Sequence, residues 1–349
     1  MPMSLLQRLG LTTPVIQAPM AGVSTAALAA AVSNAGALGS IGVGAADAAG
    51  ARGMIGDVRA LTSRAFSVNV FAHATPTPDA AREAAWLKAL EPLFLEFGAL
   101  APRHLTTIYT SWLDDLDLSA MLVEAAPPVV SFHFGLPSAR QVAALKAAGC
   151  ILLATATSLA EALAGKAVGM DAVVAQGWEA GGHRGVFDPD AMDDKMGTMA
   201  LTRLLVVRAG LPVIAAGGIM DGRGIRAALD LGAIAAQLGT AFIACPESRA
   251  DDAYRAALRG DGANHTVMTT AISGRPARCL ENRFTRWAGG AVPAAPAYPI
   301  AYDAGKALNS AAKAAGEFGF GAQWAGQGAP LARAMPAAEL IARLNEEMR

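Results

Sequence analysis

Short β-branched runs alternate with longer alanine-rich stretches through the first two thirds of this chain. Residues 15–19, 38–43, 66–71, 129–134, 151–155, 172–175, 212–216 and 235–238 are apolar segments of the length and composition of buried strands. Between them the apolar positions recur at helical spacing, over about 25–34, 45–60, 79–97, 138–148, 158–167, 197–209 and 222–231. Ser24 or Thr25, Asp79, Ser138, Ser158 and Asp221 stand where helix N-caps belong, and Gly36 follows the first helix as a C-terminal stop. Strands regularly separated by helices predict a parallel sheet with right-handed crossovers. Eight strands in about 230 residues predict an α/β chain folded as a (β/α)8 TIM barrel. An open doubly wound sheet would carry a glycine fingerprint after its first strand, and Gln17-Ala-Pro-Met-Ala-Gly22 is not one.

The rhythm stops after Cys245. Residues 1–245 are therefore expected to form the barrel and 246–296, rich in Pro and Arg, a capping and substrate region over its C-terminal mouth. Residues 297–349 hold two predicted helices, 299–315 and 337–348, one of them completing the outer ring, joined by a glycine-rich connection at 316–330. The region 98–128 reads as irregular.

Hydrophobic content of 53% in 349 residues is ample for a large core, and a net charge of −1 gives no electrostatic case for nucleic acid or an anionic membrane as partner. No run approaches the roughly 18 apolar residues of a membrane helix, and the first ten residues are too poor in apolar side chains for a signal peptide. Three scattered cysteines fit a reducing compartment and form no metal cluster, so a cytoplasmic enzyme without a metal site is expected, as a monomer or homodimer. Cys150 and Cys245 read as packed residues, Cys279 stays unassigned, and His73, His104 and His265 are expected at the surface.

In such barrels the C-terminal strand ends form the active site. Those ends hold Gln17 to Gly22, Asn69, His133, Gln176 to His183, Gly217, Gly218 and Gln237 to Thr240. The set is rich in amides, glycines and histidines and lacks the paired carboxylates of glycoside hydrolysis. The sixth strand runs into Gln176-Gly-Trp-Glu-Ala-Gly-Gly-His-Arg-Gly185, a loop whose amide, imidazole and guanidinium Arg184 are expected to face something anionic. Gly217 and Gly218 ahead of the Asp221-capped helix, with Gly239 and Thr240 after the eighth strand, predict a phosphate cradle of the kind such barrels place there. Tyr302 and Lys306, at i and i+4 of a helix that Pro299 starts, share a face, and Tyr298 lies on its approach.

These residues carry a resemblance. Pro14-Val-Ile-Gln-Ala-Pro-Met-Ala-Gly22, the 176–185 loop, Ala215-Ala-Gly-Gly-Ile-Met-Asp-Gly-Arg223, Gln237-Leu-Gly-Thr-Ala-Phe242, Ser273-Gly-Arg-Pro-Ala-Arg278 and Asn282-Arg-Phe284 resemble the nitronate monooxygenases. Tyr298-x-x-x-Tyr302-x-x-x-Lys306 is similar to an array in their class I members. The resemblance covers most of 14–306 and implies an FMN-dependent barrel that oxidises alkyl nitronates with O2 to a carbonyl compound and nitrite. It implies backbone contacts to the flavin from Ala18, Pro19 and Met20, and hydrogen bonds from Asn69 and Gln176. Gly181, Gly182, Gly217, Gly218, Gln237, Gly239 and Thr240 would hold the ribityl phosphate. His183 would be the active-site imidazole, with His133 nearby. Tyr109, Tyr254, Tyr298, Tyr302 and Lys306 would surround a small anionic nitronate such as propionate 3-nitronate. An NAD(P)H-dependent quinone or enoyl-thioester reductase on the same barrel is the alternative. A flavin-binding sensor without turnover, or a phosphosugar isomerase barrel, is poorer: the first leaves the polar strand ends without use, and the second normally places carboxylate bases there.

Overall fold

The computed structural model describes residues 3–349; Met1 and Pro2, within the expected barrel segment and at the leader position, lie outside the described residues. Eight parallel strands form the barrel: β1 (Val15–Gln17), β2 (Gly39–Gly42), β3 (Phe66–Phe71), β4 (Val129–His133), β5 (Ile151–Ala156), β6 (Ala172–Gln176), β8 (Val213–Ala216) and β9 (Ala235–Leu238), with β7 (Gly182–His183) standing outside it. Their order is β1-β9-β8-β6-β5-β4-β3-β2. The remaining gap is narrowed by Gln17 N–H donating to Leu38 O and Leu38 N–H to Val15 O. Nearly every strand residue is buried, as expected of a sheet covered on its outer face by helices and filled inside by side chains. Each expected strand is present within a residue or two of its predicted bounds.

Thr25, rather than Ser24, caps helix Ala26–Asn34, accepting from Leu28 N–H, while Ser24 bonds to Gln17 and to Met20 N–H at the mouth. The C-terminal helix Ala337–Glu347 completes the ring: Leu340, Ile341 and Leu344 pack with Leu28, Val32 and Ile225 of helices Ala26–Asn34 and Gly222–Asp230. Helix Ile300–Ala314 instead packs on Ala80–Glu96, burying Ile300, Ala301 and Leu308 against Trp86 and Leu90. The region read as irregular contains a helix, Leu116–Ala125, capped by Asp115. Its apolar face joins the core through Leu118, Met121 and Leu122, a pattern masked in sequence by the surrounding aspartates.

Residues past the barrel build a second, three-stranded antiparallel sheet in the order β10 (Thr266–Thr269), β11 (Ala277–Leu280), β7. Ala277 pairs with His183 and Arg278 with Gly182. The loop after β6 is thereby strapped to the segment above the barrel. No helix among the described residues is long and apolar enough to cross a membrane.

Candidate active site

A cavity of about 330 Å³ opens at the C-terminal ends of the barrel strands. Ala18, Pro19 and Met20 line it from the end of β1, Asn69 from β3, His133 from β4 and Gln176 from β6. Gly181, Gly182 and His183 come from the strapped loop, Gly217 and Gly218 from the end of β8, and Gln237, Gly239 and Thr240 from β9 and its turn. Tyr109, Tyr254, Tyr298, Tyr302 and Lys306 close it from above. The fold thus brings all of these residues to one cavity. Among the described residues no carboxylate lines it, and Lys306 is its one charged side chain.

The lower wall is glycine because nothing larger fits. Gly217 has φ of 120°, and a Cβ there would lie 2.7 Å from Thr198 Oγ1. Gly181 passes so close to the 325–326 backbone that a Cβ would come within 2.4 Å of Gly326 N. Asp221 caps the adjoining helix by accepting from Gly224 N–H.

His183 sits among rings: Tyr298 at 5.4 Å, Phe134 at 5.5 Å, Tyr302 at 6.3 Å and Trp324 at 5.1 Å between centroids. Burial pushes its pKa down to about 3, and the neighbouring His133, Arg275 and His73 push the same way. The imidazole is therefore neutral at pH 7. Its Nε2 lies 2.8 Å from Ser273 Oγ, and that hydroxyl also reaches Arg275 O at 3.2 Å.

His133 is fully engaged. Its Nε2 lies 3.2 Å from His183 O, which can only accept, so the proton is on Nε2 and Nδ1 accepts from Thr155 Oγ1 at 3.0 Å. Burial lowers this imidazole to about 4 as well. Gln176 Nε2 donates to the same His183 carbonyl at 2.9 Å, while its Oε1 accepts from Gly185 N–H. Two side chains thus grip one backbone oxygen.

Above, Lys306 Nζ stands 4.7 Å from the Tyr109 ring centroid and 5.3 Å from that of Tyr302, close enough for cation–π attraction. Partial burial lowers the ammonium. Burial raises all four phenols, Tyr109 to about 12.

Two expectations fail. Arg184 does not face the cavity: it is buried, forms a bidentate pair with Asp193 at 2.8 and 2.9 Å, and donates to Gln176 O. The loop turns after His183, so the guanidinium braces it from behind. His73, expected at the surface, is 1% exposed, with neither ring nitrogen partnered among the described residues. Two residues beyond β3 the chain is still inside the mouth, and the ring meets Tyr298 edge-on at 5.0 Å. His104 and His265 are exposed as expected. All three cysteines are buried.

Other residues join the site without a clear mark in the sequence. Trp324 reaches it from the glycine-rich connection. Phe134 adopts φ of 76°, packs on His133 at 4.4 Å, and carries the buried Arg275 guanidinium 4.3 Å from its ring centroid. Ser273 and Arg275 lie in a motif noted for its resemblance alone. The signal available was a serine and an arginine in a turn, which specifies little.

The chain matches the family model described as nitronate monooxygenase over residues 3–347. It is 61% identical to a nitronate monooxygenase of Paraburkholderia phytofirmans, across 99% of this chain and 95% of that one. A nitronate monooxygenase of Pseudomonas aeruginosa is 58% identical, across 98% and 97%. Among solved structures, a nitroalkane oxidase from Streptomyces ansochromogenes superposes with a TM-score of 0.90 at 40% identity, across 98% and 97% of the two chains. FabK from Thermotoga maritima superposes with a TM-score of 0.74 at 29% identity, across 99% and 95%.

Proposed function

Since the chain belongs to the nitronate monooxygenase family and is an oxidoreductase, we propose that it oxidises alkyl nitronates with O2, propionate 3-nitronate among them, to a carbonyl compound and nitrite. The observation that carries this reading is the charge pattern of the cavity wall: neutral imidazole, phenols and one ammonium, with no carboxylate among the described residues. Such a wall favours an anion and repels none. A phosphosugar isomerase or a glycosidase would need a carboxylate base there.

FMN is the cofactor we propose. The residues present fit it: Gly181 and Gly217 let the wall backbone pack directly on the 325–326 segment and on Thr198, which leaves no side chain from either between that backbone and the cavity, and the Gly239 turn ahead of Thr240 has no side-chain cap on its amides. Ala18, Pro19 and Met20 would meet its ring system by backbone, with Asn69 Oδ1 available because only its Nδ2 is used, on Ser131. Gly181, Gly182, Gly217, Gly218, Gln237, Gly239 and Thr240 would hold the ribityl phosphate region. Gln176 contributes less to the cofactor than expected, because its amide is engaged by the His183 loop. When bound, the flavin supplies the electron-accepting and O2-reducing chemistry.

The protein's part is positional and electrostatic. With Ser273 Oγ–H directed to Arg275 O, His183 carries its proton on Nε2 and presents Nδ1, which has no hydrogen-bond partner among the described residues. An imidazole held near pKa 3 is a poor base toward carbon, so the substrate it suits is the nitronate, already deprotonated. A nitronate beside it raises its proton affinity again; once Nδ1 takes a proton from water, His183 holds the anion by a charge-assisted hydrogen bond from that nitrogen. Lys306 and the phenols would take the carboxylate of propionate 3-nitronate. The Tyr298, Tyr302 and Trp324 rings keep bulk water from the reacting carbon.

Lys306→Met tests this assignment through O2 uptake. We expect KM for propionate 3-nitronate to rise about tenfold, the value of one partly buried ion pair, with little change for ethyl nitronate, which has no carboxylate. Equal effects on both substrates would remove Lys306 from carboxylate recognition.

A further inference from the structure

A second cavity, of about 240 Å³, adjoins the first. The two share Ala21, Gly22 and Val23 on one side and Tyr254, Tyr302, Lys306 and Trp324 on the other, so these side chains form a common partition. Four charged residues line the outer chamber: Arg249, Lys306, Lys313 and Asp251. Asp251 is matched by Lys313 at 2.6 Å, and it caps helix Asp252–Arg259 through Tyr254 N–H. Arg249 stands exposed at the chamber's rim and makes no ion pair and no side-chain hydrogen bond among the described residues; its backbone N–H alone is anchored, on Val23 O. The protein as a whole has a net charge of −1, so this excess of positive charge at one opening is local rather than general.

We propose that the outer chamber is a binding station for small dianions, with Arg249 as its principal contact, ahead of the Tyr302–Trp324 partition. The proposal rests on the nitronate reading for its physiological ligand, a nitronate bearing a carboxylate, but not for the existence of the site. The cation order supplies its logic. An incoming anion meets Arg249 in the open chamber, Lys306 at the partition and neutral His183 within. Field lines from like-signed charges in a cleft raise the local concentration of the opposite ion. Attraction grows in proportion to ligand charge, so its effect on a binding constant is squared when the charge doubles. Arg249 thus discriminates in favour of a dianion such as propionate 3-nitronate over a monoanion such as ethyl nitronate. It touches no reacting atom, and it acts on capture rather than turnover.

The test uses the holoenzyme, wild type and Arg249→Ala, with sodium malonate as an unreactive dianion probe followed by titration calorimetry. We expect saturable malonate binding that weakens about tenfold in Arg249→Ala, is restored in Arg249→Lys, and fades as salt shortens the screening length below about 8 Å. In parallel, kcat/KM for propionate 3-nitronate should fall about tenfold in Arg249→Ala and that for ethyl nitronate about threefold, with kcat held in both. Malonate affinity indifferent to Arg249, or equal losses for the two nitronates, would overturn the station. Normal malonate behaviour in a protein that consumes no O2 with either nitronate would leave the station standing and overturn the proposed reaction instead.

Discussion

His133 Nε2 lies 3.2 Å from the backbone carbonyl oxygen of His183. That contact ties the end of β4 to the loop after β6, and with Gln176 it fixes the point from which the His183 ring projects. His133→Phe should leave that oxygen with Gln176 alone. We expect kcat with a nitronate to fall about tenfold, as one hydrogen bond worth roughly 1.4 kcal/mol of positioning is lost, with KM little changed. His133→Gln, which offers a donor at similar reach, should recover part of it. Unchanged kcat in His133→Phe would make the contact incidental.

Three buried imidazoles give the fold a defined acid response. His73 and His133 are held near pKa 4 and His183 near 3, chiefly by burial, so the folded protein keeps them neutral where the unfolded chain takes up a proton. The unfolded state therefore binds more protons between pH 6.5 and 4. Stability is fully present above that window and falls through it, by about 1.4 kcal/mol per pH unit for each histidine. His73→Leu removes one such group and satisfies two unpartnered nitrogens by deleting them. Thermal unfolding should show the variant gaining on wild type at pH 5.5 relative to pH 8. A constant difference across that range would mean that His73 titrates normally.

Phe134 holds a strained left-handed backbone while its ring touches His133, His183, Tyr298 and Phe71. Such strain persists where packing over-determines it. Phe134→Ala should destabilise by about 3–5 kcal/mol, a loss that denaturant titration reads directly. A loss under about 1 kcal/mol would show that the ring cluster does not hold the two histidines.

Gly217→Ala places a methyl at φ of 120° and into Thr198 Oγ1. We expect a folded protein by circular dichroism that is purified with little visible flavin absorbance. Full flavin content in this variant would move the cofactor away from the end of β8.

The barrel was legible because its strands are short, largely apolar runs spaced regularly between capped helices; residues 66–71 and 172–175, rich in valine, needed no tertiary information. The candidate site was legible where it sits on strand ends, since position in the barrel assigns those residues to the mouth. What escaped detection depends on contacts distant in sequence. β7 is a Gly-His pair with no strand propensity, joined to a sheet only by its pairing with Ala277 and Arg278. Trp324 lies in a glycine-rich stretch with no periodicity, and its place beside His183 is set by β11 and Tyr254, whose hydroxyl donates to Trp324 O. His73 and Arg184 are illegible in sequence for a related reason: loop position and charge suggest exposure or ligand contact, whereas burial here follows from what folds over the loop.

In the proposed reaction a neutral, buried His183 and the Lys306 side receive a nitronate rather than a reduced nicotinamide. The direct measurement is O2 consumption by the purified holoenzyme with propionate 3-nitronate, set beside the anaerobic flavin spectrum after NADH. We expect rapid O2 uptake with nitrite release, lost by at least about a hundredfold in His183→Ala, and a flavin spectrum indifferent to NADH. Bleaching by NADH together with no O2 uptake on nitronate would contradict it and assign the cavity to a reductase.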